Sequence, residues 1–247
     1  MLDEQFKLIQ SIEDTHFWYK ARREIIESVL LSHQLLTKKF SVLEIGSANG
    51  TNIQYFKSRF NVIKGSEINT EAINIAQQKN PDIEFCNGWL PHNIGFSDEK
   101  FDLIFLFDVL EHVEDDLSAL IEIKNRLNKN GKLILTVPAY QFLFGKFDED
   151  SFHFRRYNMT TISSVVNKSG FKIGFKSYFN FWLFPLVLIS RLVEKLLNKS
   201  SGHAVSDQNA SFTNKLFYKI MSSEKKWLGN QKSLPFGSSI ILIAESN

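Results

Sequence analysis

A glycine-rich turn after an apolar run is the first pattern in the sequence that could bind a ligand. The turn is Gly46-Ser47-Ala48-Asn49-Gly50, and it follows the run that ends at Ile45. Glycine lets the backbone turn sharply and approach a ligand closely. Backbone N–H groups at the start of the following helix favour a carboxylate. The turn therefore suits a cofactor that carries an amino acid.

An acid follows the turn at a spacing that fits a ribose. Glu67 ends the next apolar run, 21 residues after Gly46. A carboxylate at the end of a second strand can accept hydrogen bonds from both ribose hydroxyls. A solvated strand-end acid is the alternative for Glu67 alone, and its pairing with the glycine turn favours the ribose role. The turn is not G-x-G-x-x-G, so a dinucleotide such as NAD fits less well.

Asp108, Glu111 and His112 stand at a predicted strand-to-helix junction. Asp108 could contact the amine of the cofactor or the substrate. His112 titrates near neutral pH and could act as a general base. The alternative is structural, with the acid capping the next helix and His112 satisfying a backbone group.

A second polar cluster, at 147–157, could bind a substrate. His153, Arg155, Arg156 and Tyr157 could bind a phosphate or carboxylate and orient a hydroxyl, with His153 as a second candidate base. The alternative is a salt-bridged loop in which the arginines pair with the acids at 148–150. Both interpretations stay open.

Alternating strands and helices must position these residues. Helical stretches at about 50–59, 70–79 and 115–128 separate short apolar runs, which indicates a parallel sheet with right-handed crossovers. The runs at 101–107 and 132–137 are nearly continuous in apolar character, as expected for strands covered on both faces. The predicted strands are Phe40–Ile45, Asn61–Gly65, Ile83–Cys86, Phe101–Phe107 and Lys132–Val137.

Helical segments flank this region. Residues 4–36 have helical spacing with no Pro or Gly. After Pro138, the pattern predicts a helix at 160–168, a strand at 171–178, an apolar stretch at 179–197, a mobile loop at 198–211, a helix at 213–228 and a last strand at 239–244.

Three motifs together resemble the class I S-adenosylmethionine-dependent methyltransferases. They are Leu43–Gly50, which resembles the first motif of that family, Phe101–Val113, which resembles the fourth-strand motif, and Asn130–Pro138, which resembles the turn and fifth strand. The resemblance covers about residues 40–140. It implies an α/β, three-layer Rossmann-like fold whose seven-stranded, mostly parallel sheet has an antiparallel last strand.

The resemblance also implies cofactor contacts for S-adenosyl-L-methionine. The methionine part is expected against the turn and Glu44, the ribose at Glu67, and the sulfonium near Asp108. The residues expected around the methionine part are Glu44, Gly46, Ser47, Ala48 and Gly50.

The sequence departs from the family after the third strand. Many members place an acid there for the adenine amino group, whereas this chain has Cys86-Asn87-Gly88-Trp89. Asn87 could supply a side-chain carbonyl beside Gly88, and Trp89 could stack on the ring. Ordinary packing is the alternative for Trp89.

Two aromatic and basic runs narrow the resemblance. His16–Arg23, taken with His153–Tyr157, resembles a bacterial methyltransferase subgroup found near polysaccharide and glycan assembly. In that subgroup the N-terminal helix is expected to cover the cofactor. The predicted organisation is an N-terminal helical cap at 1–38 and a methyltransferase domain at 39–247 with a C-terminal helical insertion at about 179–230.

The stretch Tyr178–Ile189 is the most hydrophobic part of the chain. It is shorter than the roughly 18 apolar residues that a spanning helix needs. One interpretation is a buried or dimer-forming helix. The other is peripheral membrane contact through 178–197, for which Trp182, Phe184, Arg191 and Lys195 are suited.

Composition limits the partners. The chain has 247 residues, 29 basic and 27 acidic, and its net charge of +2 disfavours nucleic acid. Cys86 is the single cysteine, so neither an intramolecular disulfide nor a thiolate metal site is expected. The polar N-terminus lacks signal-peptide features, so the expected location is the cytoplasm, with the inner face of the membrane as an alternative.

These observations predict methyl transfer to a small molecule, with an oxygen of a sugar, glycan or lipid-linked intermediate as acceptor. A monomer or homodimer is expected. The alternative from another class is a non-catalytic methyltransferase-like scaffold in a glycan-assembly complex. The intact glycine turn and Glu67 favour the enzyme, because a scaffold needs neither.

Overall fold

A computed structural model describes residues 11–197 and 212–246. The loop predicted at 198–211 and the start of the helix predicted at 4–36 lie outside the described residues. Seven strands form one sheet, in the order β3-β2-β1-β4-β5-β7-β6. The strands are β1 (Ser41–Ile45), β2 (Val62–Glu67), β3 (Phe85–Asn87), β4 (Phe101–Phe107), β5 (Leu127–Pro138), β6 (Phe171–Phe179) and β7 (Ser239–Ser246).

The sheet is mostly parallel. Strand β1 pairs in parallel with β2 and β4, β2 with β3, and β4 with β5. The last strand, β7, runs antiparallel and lies between β5 and β6. This arrangement confirms the predicted Rossmann-like methyltransferase fold.

The α-helices have well-defined bounds. They are Phe17–Ser32, Thr51–Phe56, Thr70–Lys79, Asp116–Asn125, Lys146–Asp150, Met159–Lys168, Phe184–Leu197, Phe212–Ser222 and Lys225–Leu228. Short 3₁₀ helices occur at Lys57–Arg59, Leu110–His112 and Gln141–Leu143.

The described chain divides into two compact units. Of the described residues, the sheet unit comprises 34–137, 159–176 and 241–246, and it contains most of the strands. The helical unit comprises 11–33, 138–158, 177–197 and 212–240. The domain boundaries expected from the sequence stay a prediction.

The core of the sheet unit is built around β4. Successive side chains of a strand point to opposite faces of the sheet. When helices cover both faces, an apolar residue is needed at nearly every position of the strand. Phe105 is fully buried, stacks on Phe107 with ring centroids 5.1 Å apart, and meets Phe56 and Phe60 edge to face. This packing holds the segment that contains Phe56 and Phe60 against β4.

The register of β1 and β4 brings two chain turns together. Ile45, the last residue of β1, lies opposite Leu106 near the end of β4. Both strands run in the same direction, so the turns that begin at Gly46 and Asp108 leave the same edge of the sheet. This edge is where open α/β sheets bind their ligands.

Strand β5 begins earlier than the apolar pattern predicts. The helix expected at 115–128 ends at Asn125, and β5 already starts at Leu127. Asn130 has φ +63°, and the pairing shifts register, so that Leu127 faces Phe101 and Lys132 faces Leu103. The polar residues 128–130 belong to this irregular start, which the apolar pattern alone does not reveal.

The helical unit is held at the N-terminal helix by polar contacts. The helix begins at Phe17 because the His16 ring accepts the Trp18 N–H group, 3.3 Å away. The Phe17 N–H group donates to the side chain of Asn214, 2.7 Å away, whose amide donates to the Thr15 carbonyl. The helix predicted at 213–228 is two helices, Phe212–Ser222 and Lys225–Leu228.

Replacing Phe105 tests the core. The Phe105→Ala variant is expected to lose about 3–5 kcal/mol of unfolding free energy, because a fully buried aromatic ring leaves a cavity. Urea unfolding followed by circular dichroism measures the loss. The matched Phe212→Ala variant, at an exposed aromatic, is expected to change stability by less than about 0.5 kcal/mol. Similar values for the two variants would contradict this account of the core.

Candidate functional site

Three residues of the turn after β1 have backbone angles in the left-handed region. Gly46, Ala48 and Gly50 have φ values of +71°, +45° and +75°. The N–H groups of Gly46 and Ser47 both donate to the Ser66 carbonyl, at 2.8 and 3.0 Å. A Cβ atom on residue 46 would overlap the Val109 side chain. Residue 46 must therefore be glycine, because its backbone angle is left-handed and because the turn after β4 approaches it closely.

Glu67 is joined directly to this turn. One carboxylate oxygen accepts the Ala48 N–H group at 2.9 Å, and the other accepts the Asn69 N–H group at 3.0 Å. The two features singled out by spacing thus belong to one site in the sheet unit. Each carboxylate oxygen has more than one lone pair, so both can still accept a hydroxyl.

The base of the turn contains polar atoms suited to a polar ligand. Glu44 is buried, and its carboxylate accepts the side-chain N–H of Asn52 at 2.8 Å. The Ser47 hydroxyl is also buried and has no hydrogen-bond partner among the described residues. Because buried polar groups are normally paired, this hydroxyl is suited to a polar group of a ligand. These residues fit the amino acid part of the predicted cofactor.

The segment after β3 offers a second part of the site. The Asn87 amide nitrogen donates to the carbonyls of Ile68 and Glu67, at 2.8 and 3.4 Å. This use of the nitrogen leaves the amide oxygen as the part suited to accept a hydrogen bond from an adenine. Gly88 donates its N–H to the Glu67 carbonyl at 3.0 Å. Trp89 is 42% exposed, which does not fit the core-packing alternative.

The turn after β4 is strained at its first residue. Asp108 has φ +55°, and its N–H group donates to the Thr136 carbonyl of β5, 2.9 Å away. A non-glycine residue in this region costs free energy, and such residues concentrate at functional sites. The next α-helix, Asp116–Asn125, is capped by Asp115, which accepts the Ser118 N–H group at 3.0 Å. Asp108 is therefore not its cap.

His112 closes the 3₁₀ helix that follows Asp108. Its own N–H group donates to the Val109 carbonyl at 2.9 Å, and its ring is half-buried. Glu111 beside it is buried. The role of His112 as a base stays a prediction.

Asp148 organises the cluster at 145–156 within the helical unit. Its carboxylate is fully buried and accepts the Gly145 N–H group at 2.9 Å, the Arg156 Nε at 2.7 Å and the His153 Nδ1 at 2.8 Å. Burial opposes ionisation of this carboxyl. The His153 hydrogen bond and the Arg156 charge nevertheless lower the pKa of Asp148 to about 2. The cluster is therefore built around an ionised, buried carboxylate.

The three residues predicted to bind the substrate have different surroundings in this cluster. Arg156 is committed to Asp148 and also lies 3.4 Å from the Ala139 carbonyl, as the salt-bridged alternative expects. Tyr157 is buried, and its backbone bonds with Pro138 and Tyr140. The Arg155 guanidinium lies 5.9 Å from the Phe154 ring centroid. The role of these three residues in acceptor binding stays a prediction.

His153 is held in one orientation by Asp148. A carboxylate that accepts the Nδ1–H group selects the tautomer in which Nε2 is the acceptor. A histidine oriented in this way is suited to take a proton from a hydroxyl. The pairing gives a chemical reason for His153 that the sequence alone lacked.

Tyr140 is a candidate that the sequence patterns did not single out. It follows β5 with φ +63°, and its ring stacks on Tyr178 at 5.2 Å and 11°. Burial, and secondly the neighbouring Tyr178 hydroxyl, raise the pKa of Tyr140. The signal for it was only its place in the loop after a predicted strand, three residues beyond Val137, whereas Gly46 and Asp108 directly follow their strands.

The sheet order, the glycine turn and the strand-end acid define an α/β protein that binds a nucleoside-containing ligand at the carboxyl edge of its sheet. A family model described as a methyltransferase domain matches residues 17–174. The chain therefore belongs to the methyltransferase-domain family. It is also 25% identical, over 169 residues, to the uncharacterized protein MJ1123 of Methanocaldococcus jannaschii, covering 67% of this chain and 78% of that protein.

Solved structures share the fold. A putative methyltransferase in complex with the Haloferax volcanii Trm112 activator has a TM-score of 0.61 and 14% identity over 99% of this chain and 94% of that chain. A putative sarcosine dimethylglycine methyltransferase from Galdieria sulphuraria has a TM-score of 0.58 and 13% identity, covering 90% of this chain and 84% of that chain. The N-methyltransferase NodS from Bradyrhizobium japonicum, in complex with S-adenosyl-L-homocysteine, has a TM-score of 0.53 and 18% identity, covering 67% of this chain and 81% of that chain.

Family and fold together support an S-adenosylmethionine-dependent methyltransferase. The narrower resemblance to a glycan-assembly subgroup stays a prediction. Within the described residues, no helix is long and apolar enough to span a membrane.

The Asp148 cluster is expected to make stability depend on pH in the acid range. The pKa of Asp148 is lowered from 3.8 to about 2, so its ionised form favours the folded state. This contribution is fully present above about pH 4 and is lost as the pH falls towards 2, amounting to about 2 kcal/mol. Urea unfolding between pH 7 and pH 2 should show the Asp148→Asn variant approaching wild type as the pH falls.

The exposed acid Asp98 provides the control for that titration. The Asp98→Asn variant should follow the wild-type curve throughout. If the deficit of Asp148→Asn is as large at pH 2 as at pH 7, the buried carboxylate is not the source of the acid sensitivity.

Proposed function

We propose that this protein transfers the methyl group of S-adenosyl-L-methionine to a small molecule. The acceptor atom is an oxygen of a sugar, glycan or lipid-linked intermediate. The proposal rests on the hydrogen bond from the Ala48 N–H group to Glu67, which joins the glycine turn to the strand-end acid. The chain in which this bond occurs belongs to a methyltransferase family.

The cofactor-binding roles follow from the sheet unit. Glu44, Ser47 and the turn 46–50 hold the amino acid part, where the buried Ser47 hydroxyl gains a partner. Glu67 accepts the ribose hydroxyls. The segment Asn87–Trp89 binds the adenine, with the Asn87 oxygen accepting its amino group and Trp89 covering the ring. Asp108 stands near the sulfonium.

The cofactor supplies an activated methyl group on a positively charged sulfur. The acceptor oxygen forms a bond to that carbon while the carbon–sulfur bond breaks and its electron pair stays on sulfur. The acceptor's proton leaves to a base. Alignment of the acceptor supplies much of the rate enhancement, because the reaction is an in-line displacement.

His153 is the base we propose, because Asp148 fixes its ring through Nδ1 at 2.8 Å. The imidazolium that forms is stabilised by the same carboxylate. His112 is the second candidate. Arg155, Arg156 and Tyr157 stay the residues proposed to bind an acidic or hydroxyl group of the acceptor, although Arg156 also pairs with Asp148.

The choice of acceptor rests on the runs His16–Arg23 and His153–Tyr157, which resemble those of the glycan-assembly subgroup. The location we propose is the cytoplasm, at the inner face of the membrane for a lipid-linked acceptor. The neighbours named above differ here, since NodS is described as an N-methyltransferase. The acceptor atom is therefore to be established by product analysis.

A non-catalytic scaffold is the second candidate. It is favoured by the burial of Tyr157 and the commitment of Arg156, which remove two groups from acceptor binding. A scaffold would bind cofactor without turnover. Incubating the wild-type protein and labelled cofactor with a glycan-containing cell extract, followed by mass spectrometry, separates the two candidates.

Glu67 is the first residue to test. The Glu67→Gln variant is expected to bind S-adenosyl-L-homocysteine roughly 10- to 100-fold more weakly, because it loses charge-assisted hydrogen bonds to the ribose. Isothermal titration calorimetry measures the change. Glu71→Gln, at an exposed acid on the next helix, is the matched control and should bind as wild type does. No binding by wild type would overturn the proposed function.

His153 tests the base. The His153→Gln variant is expected to lower kcat by about 100-fold or more, the usual contribution of a general base. Its affinity for S-adenosyl-L-homocysteine should be unchanged. His92→Gln, at an exposed histidine, is the control. An unchanged kcat in His153→Gln together with a large loss in His112→Gln would assign the base to His112 instead.

A further inference from the structure

The helix Phe184–Leu197 has an apolar stripe that faces solvent. Leu186, Ile189 and Val193 recur at i, i+3 and i+7, so they form one stripe along the helix, and all three are exposed. They are 51%, 57% and 46% exposed, respectively. In a soluble protein such a stripe normally faces the core.

The opposite face of this helix carries its charges and points inward. Glu194 is buried, accepts Arg191 Nη1 at 2.7 Å and accepts the Lys146 N–H group at 3.3 Å. Arg191 also approaches Gly145. Because Glu194 on this face accepts the Lys146 N–H group, rotation of the helix to bury the apolar stripe would break that contact.

The start of the helix is fixed by a buried carboxylate. Glu224 accepts the N–H groups of Asn180, Phe181 and Trp182, at 2.7, 2.8 and 3.1 Å. These bonds hold the turn between β6 and the helix. Trp182 is consequently presented at the surface, where its ring meets the exposed Trp227 edge to face at 6.0 Å.

The segment that contains the stripe is rich in basic residues. Residues 178–240 contain eight Lys and Arg against three Asp and Glu, although the whole chain has a net charge of only +2. In the described part of this segment both acids, Glu194 and Glu224, are buried. Its exposed charged residues are Lys215, Lys219, Lys225, Lys226 and Lys232.

We propose that this surface binds a lipid bilayer containing anionic lipids, with the helix Phe184–Leu197 lying in the plane of the interface. An apolar stripe that enters the acyl region, tryptophans at headgroup level and surrounding lysines are the features of an interfacial helix. Lys225 is already paired with Glu24 at 2.8 Å, whereas Lys215, Lys219, Lys226 and Lys232 meet the anionic headgroups, and an uncharged apolar partner would leave these four unmatched. We call this surface, formed by Trp182, Leu186, Ile189, Val193 and Trp227 with the lysines named above, the bilayer face.

The bilayer face deepens the proposed function. Selection of a lipid-linked acceptor rests on that function, because an enzyme held at a membrane meets acceptors anchored there. Binding of lipid itself does not depend on it. The two can therefore fail independently.

Vesicle co-sedimentation tests the bilayer face on the full chain. Wild type is expected to sediment with vesicles of phosphatidylcholine and phosphatidylglycerol, and to bind vesicles of phosphatidylcholine alone less tightly. Raised salt should weaken binding to the anionic vesicles, because surface charges are screened. Absence of binding to either vesicle would overturn the proposal.

Variants locate the contact. The Leu186→Ser/Ile189→Ser double variant is expected to lower vesicle affinity by about tenfold or more, because two side chains no longer enter the acyl region. Lys219→Glu/Lys226→Glu should lose the preference for anionic vesicles. Ile121→Ser, at an exposed apolar residue of the sheet unit, is the matched control and should bind as wild type does.

Two further measurements make the outcome decisive. Calorimetry with S-adenosyl-L-homocysteine should give the same affinity for the double variant as for wild type, which shows that the site of the proposed function is intact. Light scattering reports the oligomeric state. A dimer that becomes a monomer in the double variant, with no vesicle binding by wild type, would assign the stripe to a second copy of the chain and overturn the proposal.

Discussion

The structure of the site depends on how closely the turn after β1 can approach the turn after β4. Gly46 has no side chain to meet Val109, and its backbone angle is one that other residues rarely adopt. That closeness follows from the parallel register of the two strands, in which Ile45 lies opposite Leu106. Once the turn is formed, its N–H groups reach Ser66 and Glu67, so the geometry of three strand ends is set together.

The helical unit relies on buried carboxylates in a different way. Asp148 and Glu224 each accept several N–H groups, and each fixes a segment with little regular structure. Burial of an ionised group is costly unless it is paired and hydrogen-bonded. Asp148 has a positive partner, and its pKa is low. Among the described residues, Glu224 accepts hydrogen bonds only from backbone N–H groups, and burial raises its pKa to about 7 despite them. The two carboxylates therefore stabilise similar loops although their pKa values are shifted in opposite directions.

The sequence predicted the sheet well because hydrophobic periodicity and glycine turns are local signals. The strand Phe101–Phe107 and the helix at 70–79 have the predicted bounds, and the turn 46–50 is joined to Glu67. The cluster around Asp148 could not be decided in the same way, because a run of acids and arginines is compatible with many pairings. Tyr140 was missed since positive φ angles at residues other than glycine depend on tertiary packing. The outward apolar stripe of Phe184–Leu197 was also undecided, because periodicity gives the stripe but not the side that faces solvent.

The position of the last strand has a consequence for the order in which the protein can form. Strand β7 lies between β5 and β6, so β6 has no partner in the sheet until residues 239–246 have been synthesised. On the ribosome, β1 to β5 can assemble first, whereas β6 and the long segment 180–238 must wait. Such non-local pairing slows folding and leaves apolar surface uncovered in the meantime. The aromatic residues of β6 that are buried in the finished fold, Phe171, Phe175 and Phe179, are therefore the ones that stay uncovered until the last strand pairs with β6.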